Sequence, residues 1–198
     1  MYRFKPADQF FRGAGRLLQD LSTDELAALR EVLSAARKIE AAVVSIVSWE
    51  SNGTWELRCS VDKANDCIWG YTLGIDLTRR DLQIASRELK RPWEVGKFFD
   101  NSAPIGALRP ASEIGHPTTG RIRLSANGKI KQDGDLNQLI WNVPESISKL
   151  SEMVELKAGD IIFTGTPSGV GQTVAGDKLE CEIDGVGKLT VTLGPALK

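Results

Sequence analysis

Trp69-Gly70-Tyr71-Thr72-Leu73-Gly74-Ile75-Asp76-Leu77-Thr78-Arg79-Arg80-Asp81-Leu82-Gln83 is the stretch on which the fold turns. Its first half alternates: Trp69, Tyr71, Leu73 and Ile75 are large and apolar, whereas Gly70, Thr72, Gly74 and Asp76 are small or polar. Period-two alternation places the two sets on opposite faces of a strand, so this half reads as a half-buried strand with one small, polar face. The second half changes period. Thr78 is suited to cap a short helix in which Leu82, Ala85 and Leu89 are the apolar positions. Asp76 falls where the strand gives way to the helix, a place where side chains meet ligands more often than core. Its carboxylate can offer a hard oxygen to a cation such as Mg2+, or it can be an ordinary cap or turn residue; local physics leaves both open.

Upstream of this stretch lies the strongest helix signal. Ser22 is an N-cap with Glu25 as its capping-box partner, and Leu21 and Leu26 have the spacing of a hydrophobic staple. Leu26, Leu29, Leu33 and Ala36 follow at three- and four-residue steps, predicting an amphipathic helix over 23–37. Ala41 to Ser48 is short, apolar and β-branched, a strand; Ser51-Asn52-Gly53 is a turn, and 54–60 a further strand. Downstream the texture is mostly β. Asn127-Gly128 between 121–126 and 129–132 is a two-residue hairpin signal. Pro144 opens a helix around 144–153. Of the 19 glycines, 8 lie between 159 and 194, where they punctuate strand candidates at 160–164, 178–183 and 187–193. The reading is α+β with a dominant β core, divided into a segment 1–60 with one helix and a larger unit over 61–198.

Composition narrows the function. The 198 residues carry Lys+Arg 25 against Asp+Glu 26, a net charge of -1, so no long-range attraction to nucleic acid or to a charged membrane is expected. No apolar run approaches the roughly 18 residues of a membrane span. Met1 to Phe11 lacks the pattern of a secretion signal. Cys59, Cys67 and Cys181 are odd in number and scattered, which fits the cytoplasm and supports neither a disulfide framework nor a zinc site. His116 is the one histidine, so any His-dependent triad would have to use it.

Two apparent motifs fail on chemistry. Thr164-Gly165-Thr166-Pro167-Ser168-Gly169-Val170-Gly171 suggests a phosphate loop, but Gln172 stands where its lysine belongs and the spacing is one residue too long. It reads instead as a tight loop after a buried strand, or as a rigid turn that lets the Thr166 hydroxyl approach a ligand. Gly13-Ala14-Gly15 lacks a third glycine. His116, between Gly115 and Pro117 and with no carboxylate placed to orient it, reads as a surface loop histidine.

Several separated blocks in one order carry a resemblance. They are Trp69-Gly70-Tyr71 through Gln83, Arg91-Pro92-Trp93, Gly96-Lys97, Asn127-Gly128 with Gln132-Asp133-Gly134, and Leu156-Lys157-Ala158-Gly159-Asp160 running on to Thr164-Gly165-Thr166-Pro167 and Gly169-Val170-Gly171. Residues 61–193 resemble the C-terminal domain of the fumarylacetoacetate hydrolase family, in its fumarylpyruvate hydrolase and acylpyruvase branch. The resemblance implies a rolled, mixed β-sheet core with peripheral helices, usually in a homodimer. It implies Mg2+ or Mn2+ held by two glutamates of a Glu-x-Glu strand and one aspartate, which Asp76 matches. Lys97 matches the lysine at the substrate's developing enolate, Gln83 a substrate-contacting glutamine, and Thr166 the threonine at the substrate carboxylate. Arg80 matches an arginine at the helix start, with a substrate contact or a structural pairing, for instance with Asp81, both open.

The chain departs from that pattern in its first third. Lys38-Ile39-Glu40 before Ala41-Ala42-Val43-Val44 is the best match to Glu-x-Glu; it retains Glu40 as a metal ligand and puts Lys38 where the first glutamate belongs. The branch's water-activating His and Glu precede a Phe-x-Lys-Pro strand, and Phe4-Lys5-Pro6 stands at the start here. Three readings follow. One is a metal-dependent hydrolase cleaving a C–C bond in a fumarylpyruvate-like dicarbonyl acid. The others are a catalytically weak or inactive member that keeps the dimerising β core, and an oxaloacetate decarboxylase or tautomerase.

Overall fold

A computed structural model describes residues 37–39, 41–47 and 59–195. Eleven strands and four helices carry the described chain. The strands are β1 (Arg37–Ile39), β2 (Ala41–Val47), β3 (Ile68–Ile75), β4 (Thr78–Arg79), β5 (Arg109–Pro110), β6 (Arg121–Ala126), β7 (Lys129–Asp135), β8 (Ile161–Phe163), β9 (Gly171–Thr173), β10 (Lys178–Ile183) and β11 (Gly187–Thr192). The helices are α1 (Arg80–Glu88), α2 (Glu94–Lys97), α3 (Ala111–Ile114) and α4 (Val143–Ser151), with 3-10 turns at Val61–Cys67 and Leu136–Gln138. The α+β, mostly β reading therefore holds. The strands form three sheets, ordered β5-β3-β2-β8, β11-β10-β6-β7 and β4-β1-β9. Every pairing among the described strands is antiparallel, where the resemblance implies a mixed sheet.

β3 is the hub, and it differs from the half-buried strand that its alternation predicts. Everything from Gly70 to Ile75 is buried, and only Trp69 is exposed. The large face packs into a core that joins Tyr71, Leu73 and Ile75 to Leu124, Leu179 and Ile183 of the second sheet. Each such fully buried side chain contributes about 1.5–3 kcal/mol relative to exposure. The small face is covered by the chain at 105–110. A Cβ on Gly70 would stand 2.4 Å from the Arg109 carbonyl oxygen, and the Thr72 hydroxyl donates to the Ala107 carbonyl at 3.0 Å. Small residues alternate with large ones here because backbone, not water, lies on that side.

The β-branched run of β2 pairs with β3 from Ala41↔Ile75 to Ile46↔Gly70, and β8 lies on its other edge. The Asn127-Gly128 hairpin forms as expected: both residues have positive φ, 51 and 75, the signature of a type I′ turn. α4 starts at Asn142 with a reciprocal capping box to Glu145 and Pro144 in its first turn. α1 corrects the sequence reading. Its N-cap is Arg79, not Thr78, which belongs to β4. It buries Gln83 and Ser86 and leaves Ala85 and Leu89 exposed; Gln83 faces Gly96 of α2, which packs against this helix. Arg37 starts a strand, so the helix expected over 23–37 does not include it; residues 23–36, like 54–58 of the expected strand at 54–60, lie outside the described residues, and Cys59 and Ser60 are not in a strand. β1, β5 and β9, at two or three residues, are too short for periodicity to reveal.

Candidate active site

Asp76 is held by its neighbours before it meets any ligand. The Ile75 amide donates to the Pro104 carbonyl at 3.0 Å and the Leu77 amide to the Ser102 carbonyl at 2.8 Å. The backbone on both sides of the carboxylate is thus clamped to the 102–104 segment. α1 begins four residues later, and α2 lies against it. Gly96 makes that approach possible: a Cβ there would stand 3.0 Å from the Gln83 amide nitrogen and 3.1 Å from the Arg79 carbonyl oxygen. The next residue is Lys97, whose Nζ reaches Asp76 Oδ2 at 2.7 Å. The two side chains are 31% and 30% exposed, so solvent reaches the pair.

Other expected residues fall beside this pair or apart from it. Arg80 donates to the Gln83 side-chain oxygen, not to Asp81. Gln83 is buried, with its NH2 group left to donate. The carboxylate of Asp81 has no hydrogen-bond partner among the described residues, and its oxygens are buried. The Arg79 guanidinium lies over the Phe99 ring, 4.4 Å from its centroid, a cation–π contact that fixes the segment after Lys97.

Thr166 belongs to a second cluster. Its hydroxyl accepts from Gln132 Nε2 at 2.8 Å, and the same nitrogen donates to the Pro167 carbonyl at 2.7 Å. Gly169 lets the loop lie on β7: its φ is +103, and a Cβ would stand 1.9 Å from the Lys131 carbonyl oxygen. Gly165, Thr166 and Pro167 line an open depression together with Leu136 and Leu139. No side-chain contact described joins this cluster to Asp76 and Lys97, but a sheet does. β1 carries Thr78 on one side of Lys38 and Gln172 on the other, so the Asp76 turn and the Thr166 loop leave opposite edges of one three-stranded sheet. The two edge strands β4 and β9 are thus two strand spacings, about 10 Å, apart. Gln132 is the residue that sequence reasoning missed as a positioning group; its signal is a buried glutamine in a strand whose flanking residues are exposed.

For a cation the donor set is partial. Asp76 supplies a hard carboxylate oxygen of the kind that Mg2+ and Mn2+ take, and Oδ1 is not part of the lysine contact. No group of three His, Cys, Asp or Glu suited to a metal occurs among the described residues. Lys38 stands opposite Thr78 and Ala41 opposite Ile75, so β1 and β2 run beside the ends of β3 and β4 that bracket Asp76. The Glu40 expectation lies outside the described residues. His116 is a surface loop residue as expected, but not an unpartnered one: its Nδ1 lies 2.6 Å from the Tyr71 hydroxyl, which burial raises above its ordinary pKa.

The family model described as "Fumarylacetoacetate (FAA) hydrolase C-terminal" matches residues 27–194. The chain belongs to this family. The match crosses residue 60 and takes in β1 and β2, whose partners β3 and β4 lie beyond it. Among its relatives, the fumarylpyruvate hydrolase of Ralstonia sp is 42% identical over 70% of this chain and 72% of its own length. The mitochondrial oxaloacetate tautomerase of Rattus norvegicus is 39% identical over 62% of this chain and 56% of its own length. The crystal structure of fumarylpyruvate hydrolase from Pseudomonas aeruginosa, a complex with Mn2+ and pyruvate, is 43% identical with a TM-score of 0.75, covering 81% of this chain and 66% of that one. This member of a hydrolase family thus shares its fold with a metal-bound relative and spans little more than half the length of some of the relatives it matches. No described helix is long and apolar enough to cross a membrane.

Proposed function

We propose that the protein is a divalent-metal-dependent hydrolase that cleaves a C–C bond in a fumarylpyruvate-like acylpyruvate, a small 1,3-dicarbonyl acid. The observation that carries this reading is the 2.7 Å Lys97–Asp76 pair at the junction of β3 and α1, in a chain with fumarylpyruvate hydrolase relatives. Water adds to the acyl carbonyl, the C–C bond breaks, and its electron pair passes into the pyruvate half as an enolate that then takes a proton. Negative charge that appears only as the bond breaks is where a fixed cation lowers the barrier, and Lys97 supplies one that Asp76 orients. Asp76 and Glu40 are the proposed protein ligands of Mg2+ or Mn2+, which when bound supplies Lewis-acid polarisation of the substrate oxygens. Thr166 accepts from Gln132 and so presents its own O–H to an anionic oxygen such as the substrate carboxylate. Gln83, its oxygen engaged by Arg80, presents its NH2; Arg80 thereby acts through Gln83.

Oxaloacetate tautomerisation is the second reading, favoured by the 39% identical tautomerase and by a 40% identical oxaloacetate decarboxylase of Dictyostelium discoideum. Its chemistry also passes through an enolate, so the same lysine would serve. Parallel assays separate the two. The purified chain with Mn2+ should convert fumarylpyruvate to fumarate and pyruvate and lose that activity in a chelator. Turnover of oxaloacetate alone supports the second reading, and inactivity towards both leaves a catalytically weak or inactive family member.

The proposal extends to a cytoplasmic homodimer. Ile84 and Leu89 on α1, Trp93 and Val95 at α2, and Phe98 after it are all exposed, and such a concentration of wet apolar side chains favours a covered face. Light scattering on the eluting protein should give twice the chain mass.

A further inference from the structure

Cys59 lies just before the 3-10 turn Val61–Cys67 and Cys67 is its last residue, and their sulfurs lie 3.7 Å apart. Both are part-exposed, whereas Cys181 is buried. The contact is held from both ends. The Cys59 amide donates to the Ser151 hydroxyl at 2.9 Å, and that hydroxyl donates to the Ser148 carbonyl at 2.7 Å, which anchors the residue to α4. Cys67 is followed directly by Ile68, the first residue of β3. A soft-metal site would need further ligands, and no group of three His, Cys, Asp or Glu suited to a metal occurs among the described residues. Two thiols in contact, with access for a small reagent, are placed for oxidation to each other.

We propose that Cys59 and Cys67 form a reversible disulfide under oxidation by a peroxide, a modification site at the entrance to β3. One thiolate sulfur attacks the peroxide O–O bond, giving a sulfenic acid and water. The second sulfur then displaces the hydroxyl, which leaves as water. Two thiols and one peroxide become one disulfide and two waters, the thiols losing two electrons and the peroxide gaining them. Closing the sulfurs from 3.7 Å to a bond of about 2.05 Å requires side-chain rotation, and the eight-residue separation gives a small loop that a disulfide can close. Burial first, then the contact with Cys67 and the charges of Asp62 and Asp66, push the Cys59 thiol up to about 11. At neutral pH it is therefore a resting thiol, and the pair responds to an oxidant slowly unless the pH is raised.

The test uses the full chain, reduced and then held with excess hydrogen peroxide at about pH 8. Thiols titrated in denaturant should fall from three to one. Trypsin should then release fragments 59–63 and 64–79 as one linked species that dithiothreitol separates, with Cys181 still open to alkylation. The thermal midpoint should rise by roughly 5 °C, the order expected for a short closed loop in a chain of this size. Cys59→Ser and Cys67→Ser should each abolish the link, and Cys181→Ser should keep it. Persistence of three thiols, a bond to Cys181, or a bond between two chains overturns the proposal. So does a link that lowers the midpoint, since it would have been trapped from an opened turn.

Discussion

Replacing Lys97 by methionine removes the ammonium and keeps most of the side-chain length. In the structure that ammonium touches Asp76 Oδ2 at 2.7 Å, and the pair is 31% and 30% exposed. An ion pair that wet contributes at most about 1 kcal/mol to folding, so the thermal midpoint should fall by no more than about 4 °C in a chain of this size. The catalytic loss should be far larger. A preorganised donor aimed at developing charge is typically worth about 10²–10³ in turnover, or roughly 2.7–4 kcal/mol of barrier. Lys97→Met should therefore lower kcat for fumarylpyruvate by two to three orders of magnitude, with a modest change in KM, because the enolate exists only along the reaction path. Stopped-flow absorbance of the dicarbonyl chromophore and differential scanning calorimetry on one preparation give both numbers. Unchanged kcat refutes the role of Lys97. A midpoint that collapses by more than about 10 °C refutes it in another way, by making the lysine a structural residue and the lost activity a consequence of unfolding.

Gln132→Leu should remove both hydrogen bonds to the Thr166 loop and destabilise the protein by about 1–3 kcal/mol, read by urea unfolding, while raising KM more than it lowers kcat. His116→Ala should leave turnover within twofold, since its described contact is with Tyr71 and not with Asp76 or Lys97, and should cost about 1 kcal/mol of stability by stranding a buried hydroxyl; a large loss of kcat would show that the histidine is catalytic. Burial pushes the Cys181 thiol up from 9.0 to about 12. Its folded value is the higher one, so the stabilisation is fully present below pH 9 and is lost as pH rises towards 12, and Cys181→Ala should flatten that alkaline decline in unfolding free energy.

The features legible along the chain are local or repeated. The Asn127-Gly128 hairpin, the Pro144 helix and the β2 run were legible because a turn dipeptide, a first-turn proline and a β-branched stretch act on their own neighbours. The order of separated blocks around Asp76, Lys97 and Thr166 is legible as a family resemblance, and the family match bears that membership out. The remaining features depend on contacts between residues far apart in the chain. Alternation in Trp69–Asp76 announces a strand but cannot say that chain from residues 105–110 covers its small face. Leu82, Ala85 and Leu89 announce a helix but not that it turns Gln83 and Ser86 inward, because that depends on α2 and β4 packed against it. Lys97 meets Asp76 across 21 residues only because Gly96 lets α2 lie on α1. Cys59 and Cys67 looked scattered in the sequence, and a single 3-10 turn brings them into contact. Periodicity reports which side of an element is apolar; what stands opposite that side is set by packing, and the site is made where packing brings the elements together.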